Sequence, residues 1–235
     1  MEQKNFAHSI TPRTKLIDLR LRDIWQYRDL LMLFVHRDFV AVYKQTILGP
    51  LWFFIQPVLM TLVFTIIFGN IAKLSTDGLP PILFYLAGVT SWNYFSECFK
   101  KTSNSFKANA ELFGKVYFPR VLVPLSITIT NLIAFSIQFL LFLCFMAYFM
   151  MDGANIQPNA YMALFPVLII LMGLQGLGFG LLVSAVTTKY RDMQFLVAFG
   201  IQLLMYGTPV IYPTSSLPEK YQWIIEANPM TAVIE

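Results

Sequence analysis

Long apolar stretches alternate with short polar segments along this chain, and they set its architecture. Each stretch reaches the length of about 20 residues that an α-helix needs to cross the hydrocarbon core of a bilayer. The pattern therefore predicts an all-α, polytopic membrane protein with five spans. The predicted spans are residues 50–72, 81–99, 122–150, 160–186 and 193–212.

Basic side chains lie almost entirely on one side of these spans. Of the 17 lysines and arginines, only Lys73 and Lys220 fall in segments that we place outside the membrane. The others precede span one or lie in the loops 100–121 and 187–192. Because Lys and Arg are enriched in cytoplasmic loops, this asymmetry places the N-terminus in the cytosol.

The composition agrees with a membrane protein. A mean hydropathy of +0.60 and a hydrophobic fraction of 57% exclude an ordinary water-soluble domain. The formal net charge of +4 follows from the loop asymmetry, so it gives no reason to expect nucleic-acid binding. Cys98 and Cys144 lie in apolar spans, where we expect packing residues and no disulfide.

The topology divides the chain into two parts. Residues 1–48 form a cytosolic N-terminal segment, and residues 49–235 form a transmembrane domain. Five spans that begin in the cytosol place residues 213–235 outside. Since the chain ends within a new helical pattern, we expect a sixth span and a short cytosolic tail in the natural protein.

Residues 22–46 predict an N-terminal amphipathic helix in the membrane interface. Ile24, Tyr27, Leu31 and Phe34 recur at helical spacing, while most polar side chains occupy another face. A basic helix of this kind places its apolar face in the headgroup boundary. It is either a simple surface anchor or a cuff that also contacts a cytosolic partner.

Glycine and proline mark several joints. Gly49-Pro50 ends the N-terminal helix and begins span one, and Gly69-Asn70 and Thr76-Asp77-Gly78 mark the first external loop. In span four, Gly176 and Gly180 form a G-x-x-x-G pattern, which lets two helix backbones approach closely. The approach is either within one subunit, which we favour, or across a dimer.

The cytosolic loop 100–121 predicts a short helix. Ser103 or Ser105 can cap it, and Gly114 can end it after Phe113. A helix that projects from the basic side of the membrane is either a lever for a docked partner or an ordinary surface helix.

The external residues 213–229 predict a pair of short helices. Pro218 begins a helix that carries Tyr221 and Trp223, and Asn228-Pro229 separates it from the next helix. Trp and Tyr favour the membrane interface, so we expect re-entrant helices in the outer leaflet that can gate an external mouth.

Catalytic and nucleotide-binding motifs are absent from the sequence. It contains no G-x-x-x-x-G-K-[ST] loop and no H-E-x-x-H pair, so we expect no enzyme activity in this chain. Glu97 is the one acid within a predicted span, and we expect it to pair with Lys100 or Lys101 near the cytosolic interface. One peripheral acid is too little for a proton-coupled carrier, which argues against secondary transport.

Aromatic residues make up 16% of the chain, and this leaves many to line a path. A sugar ring stacks well against an aromatic face, although most aromatic side chains face lipid or other helices. The candidates for a substrate path or gate are Trp52, Phe53, Tyr206, Tyr212, Tyr221 and Trp223.

Four sequence blocks follow one another in order. They are YKQTILGPLW at 43–52 with Gln56-Pro57, NAELFGKVYFPR at 109–120 with Pro124, YRD at 190–192, and PVIYP at 209–213 with NPMT at 228–231. In this order the blocks resemble those of the permease subunits of polysaccharide-exporting ABC transporters. The resemblance covers the chain from Arg28 onward.

The resemblance implies a six-span permease that pairs with a second copy of itself and with two copies of a separate ATPase subunit. Its family exports lipid-linked O-antigen, capsule or teichoic-acid chains across the bacterial cytoplasmic membrane. ATP and Mg²⁺ then belong to the partner, so no cofactor is expected here. Two alternatives stay open: an ABC-type drug or lipid exporter permease, and a membrane enzyme of glycan assembly.

The resemblance also implies roles for the two cytosolic helices. The 22–46 helix becomes an interfacial cuff beside the ATPase subunit, and the 102–114 helix becomes the coupling helix in that subunit's groove. The residues expected to couple the two subunits are Arg37, Asn109, Glu111, Leu112, Phe113 and Lys115.

Overall fold

The computed structural model describes residues 21–44, 46–154, 156, 163–190 and 192–234. The all-α prediction is confirmed, because the described residues form helices joined by turns and short links. Some predicted features lie outside the described residues: the basic residues before Leu21, Gln45 and Arg191 of the sequence blocks, and the side chain of Tyr221.

Eleven α-helices run through the described part of the chain. They are α1 (Leu21–Gln26), α2 (Arg28–Tyr43), α3 (Trp52–Phe64), α4 (Pro81–Ser103), α5 (Ser105–Ala108), α6 (Ala110–Lys115), α7 (Leu122–Met151), α8 (Phe165–Lys189), α9 (Met193–Tyr206), α10 (Glu219–Glu226) and α11 (Thr231–Ile234). A 3₁₀ turn, Gly49–Leu51, leads into α3, and a π-helical segment, Thr65–Ile71, continues it.

Three helical segments are long and apolar enough to cross a membrane: Gly49–Ile71, Leu122–Met151 and Phe165–Lys189. Helix α9 is a shorter apolar helix. Large apolar side chains point outward from these helices, among them Leu182 at 73% exposure and Phe195 at 77%. A soluble monomer rarely exposes such surfaces, so the chain is a polytopic membrane protein.

The second and fifth predicted spans need correction. Helix α4 runs four residues beyond the predicted end at 99, and its last turns carry Glu97 and two lysines. Helix α9 ends at Tyr206 and not at residue 212, so at about 1.5 Å per residue it is about 21 Å long. Pro209, which has no N–H to donate, follows that end.

The predicted joints are confirmed in two places and wrong in one. Gly49 has a φ of 51°, a conformation that favours glycine, and the first span begins there. Asp77 and Gly78 also have positive φ and form the external turn. Gly69 and Asn70 lie inside the π-helical segment, so they are not part of the loop.

Helix α4 is the centre of the bundle. It packs against α3, α7, α8 and α9, and its side chains Tyr85, Phe95 and Cys98 are buried. The helices on its outside bury little of their own surface, which leaves them available to lipid or to other subunits. Cys98 and Cys144 are free thiols.

Small residues bring α8 onto α4. A Cβ atom at Gly176 would lie 2.6 Å from Cys98 Cβ, and one at Gly180 would lie 2.5 Å from Thr102 Cβ. No real Cβ atom tolerates such distances, so both positions require glycine at this spacing. The contacts lie within one chain, which confirms the prediction that the G-x-x-x-G pattern packs inside the subunit.

Helix α2 differs from its prediction in two ways. The predicted 22–46 helix is two helices, with a break at Tyr27 between α1 and α2, and it ends at Tyr43. Its apolar face packs on protein and not in the headgroup boundary, because Leu31 and Phe34 are buried. A different set of apolar side chains is exposed on these helices: Trp25, Met32, Leu33 and Val42.

The buried face of α2 forms a second core, which we call the cytosolic cluster. Its buried members are Leu31, Phe34, Phe118, Leu122 and Val123. Leu112 and Phe113 of α6 pack against it. This cluster therefore joins α2, α6 and the start of α7 into one unit at the cytosolic end.

The helix contact generates a stability prediction. Replacing Gly176 or Gly180 with Ala should lower the free energy of unfolding by about 1–3 kcal/mol, because the methyl group overpacks the interface with α4. Gly178→Ala is the matched control, since nothing lies within 4 Å of a Cβ built there. Thermal unfolding of the detergent-purified chain measures the difference. Equal stability of all three variants would contradict the assigned contact.

Candidate coupling segment and membrane groove

Residues 105–115 form the segment that sequence analysis assigned to coupling, and we call it the coupling segment. The prediction of one helix over 102–114 is wrong in detail. Helix α4 continues to Ser103, and two short helices follow it with a break at Asn109, where φ is −113° and ψ is 20°. Gly114 lies within α6, which ends one residue later at Lys115.

The predicted serine caps are also wrong. Ser103 Oγ donates to the Lys100 carbonyl at 2.8 Å, and Ser105 Oγ donates to the Thr102 carbonyl at 2.8 Å. Both hydroxyls therefore bond back to a carbonyl of the preceding turn and do not cap the N-terminus of a helix.

The coupling segment has two different faces. Glu111 and Lys115 point outward, with exposed side chains whose charged groups lie 3.9 Å apart. Leu112 and Phe113 turn inward onto the cytosolic cluster. Asn109 Nδ2 donates to the Ser105 carbonyl at 2.9 Å, which ties the two short helices together. A charged face on an apolar support suits a docking surface.

Phe118 packs against the buried side of this segment. The sequence analysis did not assign that role to it. Its ring lies 5.5 Å from the ring of Phe113 and 5.5 Å from the ring of Phe34 on α2. Arg120 lies over the Phe113 ring at 5.8 Å. The signal in the sequence was Phe118 itself, an aromatic residue that the sequence analysis placed only within the block at 109–120.

Arg37 lies on the same side of the molecule as the coupling segment. Its Nη2 atom lies 2.7 Å from Asp38 Oδ1, and its guanidinium group lies 4.9 Å from the centroid of the Phe34 ring. Ser126 Oγ of α7 donates to Asp38 Oδ2 at 3.4 Å. Arg37 and Asn109 line one cavity, so the structure brings these two predicted coupling residues together.

The predicted pairing of Glu97 with a nearby lysine is confirmed. Glu97 Oε2 lies 3.1 Å from Lys101 Nζ, one helical turn further along α4. Lys101 Nζ also donates to Asn131 Oδ1 of α7 at 2.9 Å. The carboxylate therefore has a partner at the basic end of the bundle, where a charge is least costly.

Trp52 and Phe53 lie beside this ion pair. Both line a groove of about 230 Å³ together with Gln56, Glu97 and Lys101. Phe53 also stacks on Phe39 of α2 at 5.9 Å between ring centroids. These two path candidates are therefore at the end of span one that lies beside α2 and the Glu97–Lys101 pair.

The other path candidates lie at the C-terminal end of α9 and in the segment that follows it. Its first turn is tied to the end of α4, because Gln194 Nε2 donates to Asn104 Oδ1. Tyr206 ends the helix, and its carbonyl accepts a 2.7 Å hydrogen bond from Tyr212 Oη. Trp223 on α10 is 67% exposed. The structure thus separates the candidates into two groups and does not bring them together.

The external residues form the predicted pair of short helices. Helix α10 begins directly after Pro218, and Asn228 and Pro229 separate it from α11. Asn228 Oδ1 accepts a 3.0 Å hydrogen bond from the Met230 N–H, which stabilises the turn between them.

A stretch before these helices folds back onto α4. Val210 is fully buried, and a Cβ atom at Gly88 would lie 3.0 Å from the Val210 carbonyl oxygen. Gly88 lies about 10 Å along α4 from its first residue, Pro81. Ser215 Oγ donates at 2.9 Å to the carboxylate of Asp77 in the first external turn. The external segment is therefore joined to both α4 and that turn.

Fold and surfaces together define a helical membrane protein with an exposed, charged coupling segment at one end and a folded-back segment at the other. A model of the ABC-2 type transporter family matches residues 29–235, so the chain belongs to that family.

Relatives support this assignment. The chain is 29% identical over 217 residues to the O-antigen export system permease protein RfbA of Myxococcus xanthus, covering 91% of this chain and 80% of that protein. It is 28% identical over 206 residues to the protein of that name from Klebsiella pneumoniae, covering 88% and 77%. Identity to the polysialic acid transport protein KpsM of Escherichia coli is 24% over 192 residues, covering 80% and 71%.

The cytosolic cluster generates a second prediction. Phe118→Ala should increase hydrogen exchange at the backbone amides of 105–115, because loss of a buried phenyl ring costs about 3–5 kcal/mol and removes the support of Phe113. Tyr117→Ala is the control, since Tyr117 is 85% exposed. Mass spectrometry of deuterium uptake compares the two. The support role is refuted if uptake in 105–115 is the same for both variants.

Proposed function

We propose that this chain is the membrane subunit of an ATP-driven exporter that carries lipid-linked polysaccharide, of the O-antigen or capsule type, across the bacterial cytoplasmic membrane. The observation that carries the proposal is the similarity, over most of the chain, to relatives named for O-antigen export and polysialic acid transport. The helical bundle and its exposed apolar faces are consistent with such a subunit.

The chain is a non-catalytic permease subunit. The free energy for transport comes from ATP hydrolysis by a partner subunit. The sequence has no loop of the P-loop type, so ATP and Mg²⁺ belong to a separate ATPase subunit, of which two copies are expected. A second copy of this chain completes the membrane part. The topology that we propose has the N-terminus in the cytosol, the five spans predicted in this chain and a sixth span in the natural protein.

The coupling segment is the proposed contact with the ATPase. Its outward charges on Glu111 and Lys115 offer a specific polar surface, and its inward face rests on α2 and α7. Because α5 directly follows α4, a push on this segment reaches the centre of the bundle. Arg37, one turn from the cytosolic cluster on α2, extends the same surface.

The aromatic residues at both ends of the bundle are the proposed path. A long, hydrated glycan needs side chains that grip weakly, and aromatic faces meet that need at a lower insertion cost than charges. Trp52 and Phe53 serve the cytosolic entrance, while Tyr206, Tyr212 and Trp223, with Tyr221, serve the external gate. In this proposal spans one and five of two subunits face each other across the pore.

Gene deletion tests the function. Removing this gene from its bacterium should abolish surface polysaccharide and leave lipid-linked polymer on the cytosolic face of the membrane, and the intact gene should restore export. The purified chain alone should hydrolyse no ATP. Surface polysaccharide that persists while drug resistance falls would instead favour a drug exporter, and it would overturn the proposal.

A charge reversal tests the coupling segment. Glu111→Lys should reduce export at least tenfold in the complete transporter while the chain still inserts, because it reverses the sign of an exposed docking charge and breaks the ion pair with Lys115. Asp152→Lys is the control, an exposed acid after α7 with the same charge change. Export and ATP hydrolysis are measured together in membrane vesicles.

Normal export by the Glu111 variant would show that the segment is only a loop. Equal loss in the Asp152 variant would show a general effect of charge on assembly.

Cysteine labelling tests the path. Cysteines at Trp52, Phe53 and Tyr212 should react with a water-soluble maleimide in the assembled transporter, because the proposed path is hydrated. Cysteines at Ile170 and Leu182 of α8, which point outward from the bundle, serve as controls and should react at least tenfold more slowly. Labelling confined to the control positions would overturn the assignment of spans one and five.

A further inference from the structure

A cavity of about 470 Å³ opens at the cytosolic end of the bundle, and we call it the basic cleft. It lies where α2, α4, α5, α7 and α9 meet. Three cationic side chains line it, Arg37, Lys100 and Lys101, against one acidic side chain, Asp38. The cleft therefore carries an excess of positive charge, and the proposed docking role uses only Arg37 of the three cationic side chains.

The neighbours of each charge show where the excess lies. Asp38 already pairs with Arg37 at 2.7 Å, and Lys101 pairs with Glu97 at 3.1 Å. Lys100 makes no ion pair among the described residues, and Arg37 keeps guanidinium donors beyond those directed to Asp38. An anionic ligand could therefore engage Lys100 and the remaining donors of Arg37 in this cleft.

The cleft continues into the groove beside span one. The two cavities share Val42, Lys101, Thr130 and Asn131 along their common wall. Beyond that wall the character of the lining changes from cationic to aromatic and amide. The groove side chains beyond the wall include Trp52, Phe53, Gln56, Asn93 and Gln138.

The change from cationic to aromatic and amide side chains along the two cavities matches one type of ligand. Arg and Lys form strong charge-assisted hydrogen bonds with phosphoryl oxygens. Aromatic faces and side-chain amides, in contrast, suit the ring faces and hydroxyl groups of sugars. A phosphate joined to a saccharide presents these two chemistries side by side.

We propose that the basic cleft binds the phosphoryl group of a phosphorylated saccharide, whose first sugars lie in the groove beside Trp52 and Phe53. The inference deepens the proposed function and rests on it, because it assigns a part of the proposed substrate to each of the two adjoining cavities. Lys100 and Arg37 are the residues that contact the phosphoryl oxygens. The same chemistry is offered by a lipid-linked phosphosaccharide and by a free phosphate anion.

Binding to the full chain in phosphatidylcholine nanodiscs tests the site. The probes are a polyprenyl diphosphate that carries a disaccharide, the same prenol without phosphate, and inorganic pyrophosphate. Binding is followed by microscale thermophoresis and by tryptophan emission. We expect the phosphorylated lipid to bind and the unphosphorylated prenol to bind at least tenfold more weakly. Binding of pyrophosphate with equal affinity would identify a free anion as sufficient.

Three variants locate the site. Lys100→Gln should weaken binding of the phosphorylated probe about tenfold, as loss of one charge-assisted hydrogen bond does. Lys107→Gln is the matched control, because Lys107 is a basic residue of α5 that does not line the cleft. Trp52→Phe should keep the affinity and remove the emission change, since it retains an aromatic face in the groove.

Several results would overturn the site. Equal weakening by Lys100→Gln and Lys107→Gln would show a non-specific charge effect, and an emission change that survives Trp52→Phe would place the sugar elsewhere. Loss of ATPase co-purification in Lys100→Gln, with probe affinity unchanged, would make the cleft a protein-docking surface.

The two proposals fail in different ways. If the gene deletion leaves surface polysaccharide intact while Lys100→Gln still weakens probe binding, the exporter assignment is wrong and the phosphoryl site stands. If export requires the chain but Lys100→Gln binds the probe like the wild-type protein, the site is wrong and the exporter assignment stands.

Discussion

The close contact of α4 with α8 is the constraint on which the bundle depends. Lipid tails are as apolar as leucine, so helices in a bilayer associate through tight packing and not through exclusion of water. Gly176 and Gly180 permit that packing, and beyond them Thr187 Oγ1 donates to the Ser103 carbonyl at the last turn of α4. The position of α4 is therefore fixed along much of its length, and every other helix of the core is placed relative to it.

Helix α4 also connects the two ends of the molecule. Its last residue is followed at once by the coupling segment, and Gly88 in its first half receives the folded-back stretch at Val210. Close-packed interiors transmit displacement because they have little free volume. In the proposed transporter, a movement imposed at the coupling segment would reach the external segment through α4 alone, without a chain of intermediate side chains.

Local signals predicted what depends on neighbours in sequence, and failed where a distant partner decides. Apolar length identified three of the five predicted spans, and the nearness of Glu97 to two lysines identified its ion pair, because both are properties of one helix. The apolar face of α2 was placed in the headgroup boundary, since an amphipathic pattern does not say whether lipid or protein covers it. Phe118 covers it here.

The cytosolic cluster has a consequence for the order of biosynthesis. Asp38 on α2 and Ser126 on α7, which join beside that cluster, are 88 residues apart in the chain. At a translation rate of about 5–20 residues per second, the partner of α2 leaves the ribosome about 4–18 s after α2 itself. Throughout that interval α7 is not available to cover the apolar face of α2. The surface of the membrane is then the nearest apolar environment for that face. The amphipathic pattern that describes an interfacial helix thus describes the assembly intermediate, whereas the finished subunit turns that face inward.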